Sequence, residues 1–186
     1  KPKIEPYKAP FLTLVAGASV VKALSNLGVE ASIKWPNDII VHNKKICGIL
    51  TEFSAEMERV NYVVIGIGIN IKTIDFPDEI KEKATSLYKE GYKLSRVDIV
   101  RQFCIEFEKL YKGYILDGNK QDTLELCRKY SAIIGKQVYV IKNNKRELVK
   151  CIDINENGNL IVKEKNGEIQ EIMSGEVSIR GVKGYV

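Results

Sequence analysis

The stretch "IKWPNDII", residues 33–40, reads as a β-strand that a tight turn interrupts. Ile33 and Trp35 suit a pleated, half-buried surface, and two isoleucines resume the apolar pattern after the turn at residues 36–38. A lysine, Lys34, lies between the two apolar residues. The ordinary interpretation is a lysine whose stem packs on the sheet while its ammonium reaches water. The other interpretation is a cation held in a fixed position at a strand end.

The segments on both sides of this stretch predict an α+β fold. Residues 10–28 have a helical apolar period, with Pro10 at the first helical position and Gly28 just past the end. Residues 31–50 read as two strands joined by the polar turn "HNKK", and residues 61–71 read as a third strand. One helix is therefore followed by three β-segments.

Three further helices are predicted in the middle of the chain. Residues 76–90 begin with a proline and acidic residues and predict a short helix. A longer one starts at Ser95, makes a capping-box-like pair with Asp98 and ends near Gly118. Its apolar and aromatic stripe is interpreted as core packing. A third helix is predicted from about residue 121 to 133.

The sequence pattern changes after Gly135. Five short strands, such as "KQVYVIKN" and "GNLIVKEK", follow at close spacing and are separated by Asn- and Gly-containing turns. About fifty residues of such strands predict a small β-barrel or an SH3-like module. The predicted domains are therefore residues 1–134 and residues 135–186.

The predicted strand at 61–71, "NYVVIGIGINI", has two different faces. Its odd-numbered positions are valine and isoleucine, whereas the other face carries Val64, Gly66, Gly68 and Asn70. Glycines in register on one face indicate the close approach of a flat ligand or of a tightly packed helix, and the pattern alone favours neither. Asn70 offers a donor and an acceptor that would suit a purine edge. No third glycine or following helix makes this a dinucleotide fingerprint.

Composition and charge exclude several classes of function. The chain has 186 residues and a net charge of +5, spread as +3 over residues 1–134 and +2 over residues 135–186, which disfavours a concentrated nucleic-acid surface. No transmembrane helix or export signal is predicted, so the cytoplasm is the expected location. Four widely spaced cysteines and a single histidine, His42, predict no metal site, disulfide or Ser-His-Asp triad.

Two further residues lie near Lys34 in the predicted hairpin. Lys45 follows the polar turn, and Gly48 removes a side chain from the next strand. Lys34 and Lys45 would project toward one side of the sheet as a pair of cations for an anionic ligand. The plainer interpretation of Lys45 is a solvated lysine of the turn.

Three motifs in this order and spacing, "KWPNDI", "NKKICGILTE" and "VVIGIGINI", resemble the catalytic domain of biotin protein ligase, the biotin–[acetyl-CoA-carboxylase] ligase. "SGEVSIRG" is similar to the end of that family's SH3-like domain. The resemblance runs from the helix at residue 10 to Arg180. It implies a mixed sheet with helices, like that of class II aminoacyl-tRNA synthetases and biotin ligases, followed by the SH3-like barrel.

The resemblance also implies a reaction. Biotin's carboxylate attacks the α-phosphate of ATP, with Mg²⁺, to give biotinyl-5′-AMP and pyrophosphate. The lysine amine of a biotin carboxyl carrier protein, from acetyl-CoA carboxylase or a related biotin-dependent carboxylase, then attacks the activated carbonyl. Two anions meet in the first step, so fixed positive charge is needed. A homodimer is a further possibility, and neither a membrane partner nor a DNA-binding domain is expected in this chain.

The family's functional residues match positions of this sequence. The resemblance implies that Lys34 is the main catalytic residue, in contact with the biotin carboxylate and the mixed anhydride, and that Gly48 lies beside the biotin pocket. The residues that it assigns to ATP or adenylate binding are Lys45, Gly66, Gly68, Asn70, Glu176 and Arg180. The residues that support the motif around Lys34 are Trp35, Pro36, Asn37 and Asp38.

One departure from the family pattern matters. The family's G-R-G-R-x-G-R loop, which folds over biotinyl-AMP, is not found in these 186 residues. The residues that hydrogen-bond the biotin ureido ring and a helix-turn-helix segment are not found either. The sequence therefore resembles the C-terminal two-thirds of a ligase, and we expect this chain alone to ligate biotin poorly.

Three alternatives remain open. A lipoate–protein ligase shares the fold and the acyl-adenylate chemistry, and the "KWPND" and "GIL-x-E" motifs disfavour it. A non-catalytic module would keep the nucleotide or biotin site without the reaction. Nucleic-acid binding by residues 135–186 is the weakest alternative because the net charge there is small.

Overall fold

The computed structural model describes residues 1–142, 145–174, 178–182 and 185, and it has an α+β fold with two antiparallel sheets. The helices are α1 (Phe11–Asn26), α2 (Arg96–Asp117) and α3 (Gln121–Lys129). The strands of the first sheet are β1 (Ser32–Lys34), β2 (Asp38–Val41), β3 (Lys44–Ala55) and β4 (Val60–Ile69). The strands of the second sheet are β5 (Gln137–Lys142), β6 (Lys145–Ile154), β7 (Leu160–Lys163), β8 (Ile169–Ile172) and β9 (Ser178–Gly181).

The first sheet has the order β1-β2-β3-β4, and neighbouring strands are antiparallel. The prediction of one interrupted strand at residues 33–40 is wrong. Residues 35–37 reverse the chain, so that β1 and β2 form a hairpin in which Lys34 pairs with Asp38. Pro36 and Asn37 favour such a reversal over a simple break. The segment therefore contributes two strands, and the sheet has four where the sequence predicted three.

The second sheet confirms the strand-rich texture predicted after Gly135. Its order is β8-β7-β6-β5-β9, with all neighbours antiparallel. In the described part of the chain, β8 and β9 are the two ends of this order and do not pair with each other. The described strands thus form an open sheet.

Helix α1 is the centre of the core. It packs against β1, β2 and β3 on one side and against α2 and α3 on the other, and most of its side chains are buried. The predicted helix is confirmed: it begins after Pro10 and ends before Gly28, whose φ is +79°. By length and composition the segment Pro6–Asn26 is apolar enough to cross a membrane, but most of it is buried inside this protein. A helix that is apolar all round is expected at the centre of a core.

The short helix predicted at residues 76–90 is wrong. The backbone there forms turns, and the segment is drawn to the start of β3 instead. The Lys45 amide donates to the Lys83 carbonyl at 2.8 Å, and the Thr85 amide donates to the Lys45 carbonyl at 2.9 Å. These bonds to a strand edge replace the bonds that a continuing helix would make.

The long helix α2 is confirmed, with its predicted cap. The Ser95 side chain accepts a hydrogen bond from the Asp98 amide, and Gly118 ends the helix at a φ of +66°. The interpretation of its stripe as core holds in part: Leu110 is buried and Phe103 packs against the core, whereas Val97 is 75% exposed. Helix α3 is also present, but it ends at Lys129 rather than near residue 133.

The two sheets are joined at the turn that contains Trp35. Its indole nitrogen donates to the carbonyl of Gly158, 2.9 Å away, in the turn between β6 and β7. Gly158 has a φ of +84°, and a Cβ there would overlap the side chain of Leu14 in α1. Arg128 of α3 adds an ion pair with Asp153 of β6 at 2.7 Å. The turn between β6 and β7 therefore packs against both the first sheet and α1.

We predict that Trp35→Phe destabilises the protein by about 1–3 kcal/mol, because the buried Gly158 carbonyl loses its donor. Urea denaturation followed by circular dichroism measures this change. Tyr62→Phe is the matched control, since Tyr62 is a half-exposed aromatic residue of β4. Equal stability of the two variants would contradict the prediction.

Candidate active site

The polar residues and glycines that the sequence singled out in the first sheet lie in one row across its strands. Lys34 of β1 pairs with Asp38 of β2, Asp38 pairs with Gly48 of β3, and Gly48 pairs with Gly68 of β4. Residues directly opposite each other project from the same face of a sheet. One face therefore presents a cation, an acid and two positions without side chains, in that order.

Asp38 is the centre of the hydrogen-bond network on this row. One of its carboxylate oxygens forms an ion pair with Lys45, and the other accepts a hydrogen bond from the hydroxyl of Tyr185. The Lys45 side chain crosses Gly48 on its way, since a Cβ on Gly48 would lie 3.0 Å from the Lys45 Nζ. Gly48 thus leaves the space that lets Lys45 reach the acid.

Lys34 is a buried cation. Its residue is 3% exposed, and its Nζ lies 3.4 Å from the centroid of the Tyr185 ring. No carboxylate of the described residues lies within 4.0 Å of that nitrogen. Burial lowers the pKa of Lys34 to about 8; the nearby Asp38 charge opposes this shift, and the Arg180 and Lys45 charges add to it. The amine is therefore still largely protonated at pH 7.

A cavity of about 440 Å³ opens beside the row. It brings together the two glycines and the cations of three separate segments. Its lining includes Lys45, Gly48, Gly68, Asn70, Lys83 and Arg180. A cavity with cations at its wall and bare backbone at its floor can take a flat, anionic ligand.

The glycine face of β4 has no helix packed on it in the described part of the chain. A Cβ on Gly66 or on Gly68 would contact only carbonyl oxygens of β3, at 3.7 Å and 4.0 Å. The even-numbered positions of β4 from Tyr62 to Gly68 are exposed, while the odd-numbered valine and isoleucine positions are half-buried against the core. Of the two interpretations that the sequence left open, tight helix packing is therefore wrong.

Asn70 lines the cavity and also holds a neighbouring segment in place by hydrogen bonds. Its side-chain nitrogen donates to the Thr85 carbonyl at 3.1 Å, and its backbone carbonyl accepts from the Leu87 amide at 2.9 Å. Thr85 in turn donates to Glu90, which pairs with His42. Asn70 thus fixes the segment that closes one side of the cavity, so its role is not confined to a ligand.

The structure brings together most of the residues that the sequence predicted. Gly66 is on the same face of β4 but does not line the cavity. Glu176 lies outside the described residues. Around Lys34, Trp35 is buried, the Trp35–Pro36 peptide bond is cis, and the side chain of Asn37 donates to the Ile49 carbonyl at 2.9 Å.

Two residues of this site were missed by the sequence reasoning. Lys83 lines the cavity because its segment pairs with β3, and the helix predicted there concealed that pairing. Tyr185 reaches the row from the far end of the chain, 147 positions beyond Asp38. No local pattern signals such a contact. The residues around Tyr185 in the sequence show no helical or strand-like period from which its position could be predicted.

The described residues contain no group of three or more His, Cys, Asp or Glu that could hold a metal ion. All four cysteines are free, and three of them are buried. Burial raises the pKa of the Cys47, Cys127 and Cys151 thiols to about 12. Such thiols are poor nucleophiles.

Comparisons with known proteins agree with this geometry. Residues 1–70 match the model of the biotin/lipoate A/B protein ligase family, and residues 133–180 match the biotin protein ligase C terminal domain. The bifunctional ligase/repressor BirA of Bacillus subtilis is 38% identical over 183 residues, which cover 96% of this chain and 56% of that protein. The corresponding BirA of Escherichia coli is 27% identical over 180 residues. The chain thus spans little more than half the length of these relatives.

Solved structures give the same result. The apo structure of biotin protein ligase from Aquifex aeolicus has a TM-score of 0.81 and 27% identity, and the match covers 96% of this chain and 80% of that one. The same enzyme in complex with biotin and ATP has a TM-score of 0.79 and 26% identity, with 96% and 76% covered. Sequence motifs, family models and fold therefore agree, and residues 1–70 and 133–180 of this chain carry the two segments that the biotin protein ligase family models describe.

Proposed function

We propose that this chain carries the adenylate-forming site of a biotin–protein ligase. Biotin's carboxylate attacks the α-phosphate of ATP, pyrophosphate leaves, and biotinyl-5′-AMP is formed. The lysine amine of a biotin carboxyl carrier protein then attacks the acyl carbonyl, and AMP leaves. The observation that carries the proposal is the row of Lys34, Asp38, Gly48 and Gly68 beside a cavity with cations in its wall.

The charges at this site suit a reaction between two anions. No carboxylate of the described residues forms a direct ion pair with Lys34, although the charge of Asp38 is nearby, so the ammonium keeps the capacity to pair with an anion that displaces the Tyr185 ring. In a site shielded from water, a fixed cation stabilises developing negative charge more strongly than it would in solution. We assign Lys34 to the biotin carboxylate and the mixed anhydride. Lys45 and Arg180 are assigned to the phosphates of ATP.

The bare part of the row suits the nucleotide base. Gly68 of β4 and Asn70, the residue that follows β4, line the cavity, and Gly48 lies next to Gly68 in register. We assign Gly68 and Asn70 to the adenine and Gly48 to the wall shared with biotin. Gly66 and Glu176 stay as predictions of the sequence for ATP binding.

Magnesium enters the proposal only as an ion carried by ATP. The described residues do not form a site of three ligands, and both oxygens of Asp38 are already bonded within the protein. Mg²⁺ can be held largely by phosphates and water, with one or two carboxylates. It would partly neutralise the phosphates.

The partner, the location, the domain division and the assembly of this protein are also proposals. We propose a carrier protein of acetyl-CoA carboxylase or a related carboxylase as the partner, the cytoplasm as the location, and two domains at 1–134 and 135–186, the second SH3-like. We also propose a homodimer as the assembly, since β4 ends the first sheet with no described strand beside it. Unpaired strand edges favour pairing with another chain.

Calorimetry with ATP and with biotin tests the proposal on this chain. We expect both to bind, and we expect lipoate to compete poorly with biotin. A chain that binds neither ATP nor biotin would contradict the proposal, and stronger binding of lipoate would favour the lipoate ligases. ATP binding without any biotinyl-AMP would indicate the non-catalytic module.

Turnover is a separate measurement. Labelled biotin, ATP, Mg²⁺ and an acceptor domain are incubated with this chain, and transfer of the label to the acceptor is counted. Because the arginine-rich loop motif is not in these 186 residues, we expect slow transfer or none. Normal turnover would show that the motif is dispensable here.

A further inference from the structure

Tyr185 lies between Lys34 and the cavity. Its ring lines the cavity, and the centroid of the same ring is 3.4 Å from the Lys34 Nζ. Lys34 itself is 3% exposed and does not line the cavity. With the ring in this position, a ligand in the cavity contacts the Tyr185 ring and cannot reach the ammonium of Lys34.

The hydroxyl of Tyr185 holds the ring in this position. It donates a hydrogen bond to Asp38, whose other oxygen is paired with Lys45. Burial, and then the bond to Asp38, raise the pKa of Tyr185 above its usual range, so the hydroxyl remains a donor. A hydrogen bond to a charged acceptor is stronger than one between neutral groups. The ring is thus fixed at one end by its hydroxyl.

The ring is a weaker partner for Lys34 than an anion would be. The charged groups that face Lys34 are Asp38, Arg180 and Lys45, and the two cations repel it. Asp38 is already shared by Lys45 and Tyr185. An aromatic face attracts an ammonium through its quadrupole, whereas a carboxylate attracts it with a full charge. A carboxylate that reaches Lys34 can therefore replace the ring.

We propose that Tyr185 is a movable cover over Lys34, latched by its hydroxyl on Asp38, and that the carboxylate of the ligand takes the place of its ring. The identity of that ligand as biotin rests on the proposed function. The cover itself rests only on the positions of Tyr185, Lys34 and Asp38. It makes access to the reactive lysine depend on the arrival of an anion.

Amine labelling tests the cover without any ligand. The protein is treated with a small acetylating ester, and mass spectrometry of its peptides gives the rate at Lys34 relative to the exposed Lys109 of α2. Tyr185→Phe keeps the ring and removes the latch, so we expect Lys34 to be labelled about tenfold faster than in the wild type, the effect of one lost hydrogen bond to a charged group. Tyr185→Leu, which removes the ring as well, is expected to react at least as fast.

The direction of the change in labelling rate shows whether Lys34 has become more accessible or only more reactive. In Tyr185→Phe the freed charge of Asp38 would keep Lys34 more protonated and slow its acetylation. Faster labelling therefore reports an opened cover. Equal rates in Tyr185→Phe and wild type would mean that the ring is a fixed wall, and would overturn the proposal. Melting temperatures of both variants show that the fold is kept.

A second measurement follows the ring itself. With ring-¹³C tyrosine, the Tyr185 resonance is assigned by its loss in Tyr185→Phe and followed during titration with biotin and with neutral biotin amide. We expect biotin to shift it and the amide to leave it in place. If calorimetry shows that biotin binds while the resonance does not move, the cover is overturned. If biotin does not bind, the proposed function fails, and the labelling rates alone decide whether the cover exists.

Discussion

Lys34→Met is expected to weaken binding of a non-hydrolysable biotinyl-adenylate analogue by about 10- to 100-fold, the range for losing one hydrogen bond to a charged group. The same substitution is expected to stabilise the fold at pH 7 by roughly 1–3 kcal/mol, since one pKa unit corresponds to about 1.4 kcal/mol. Burial lowers the pKa of Lys34 from its ordinary 10.5 to about 8, so a charged amine there is unfavourable to folding. Calorimetry measures the affinity, and urea denaturation measures the stability.

The stability gain has a defined pH dependence. Between pH 8 and 10.5 the unfolded chain binds a proton at Lys34 that the folded chain has lost, so the wild-type protein gains stability as the pH rises. Below pH 8 the amine is protonated in both states and the penalty is complete. The advantage of Lys34→Met is therefore full below pH 8 and disappears above pH 10.5.

Two outcomes would contradict this account of Lys34. One is a variant that binds the analogue as the wild type does, which would show that the ammonium does not contact the ligand. The other is a loss of stability at pH 7, which would show that the lysine is held for packing. Lys34→Arg is the matched control, because it keeps the charge while changing the shape of the donor.

Gly68→Val is expected to weaken ATP binding by about 10- to 100-fold, the range that base stacking contributes at protein sites. The new side chain would project into the cavity, because Gly68 lines it. The fold has room for it: the nearest atom to a Cβ there is the Gly48 carbonyl oxygen, 4.0 Å away. Valine also suits a strand better than glycine, so we expect equal or higher stability.

Gly66→Val is the comparison that isolates the cavity. Gly66 is exposed on the same face of β4, and a Cβ there would be 3.7 Å from the Leu50 carbonyl, but it does not line the cavity. We expect a similar change in melting temperature and a much smaller loss of ATP affinity. Equal losses in the two variants would place the adenine along the whole glycine face, as the sequence predicted for both residues.

The parts of the fold predicted correctly are those with a strong local cause. Helix α2 has a serine cap and a terminal glycine, and β4 has a strict alternation of apolar residues with glycine. The helix predicted at residues 76–90 had a proline and acidic residues at its start, but bonds to β3 outweighed them. That competition involves residues about forty positions apart, so no local window contains it.

The candidate site was predicted in part for the same reason. Lys34, Gly48 and Gly68 were found because they interrupt apolar strands, and an interruption is visible in sequence. Their alignment in one row depends on the register of three strand pairs. That register depends on the hairpin turn at residues 35–37, which the sequence analysis took for a break in one strand. Tyr185 depends on how the end of the chain returns to the first sheet.

The turn that presents Lys34 also binds the second sheet, through the indole of Trp35 and the carbonyl of Gly158. Because Gly158 has a φ of +84° and a Cβ there would overlap the side chain of Leu14, a residue with a side chain would be strained at this position and would displace side chains of α1. Evolutionary change in the loop between β6 and β7 is therefore constrained by the candidate site beside the first sheet. A recombination that exchanged the second sheet between two family members would need to carry residues 155–158 and the tryptophan turn together.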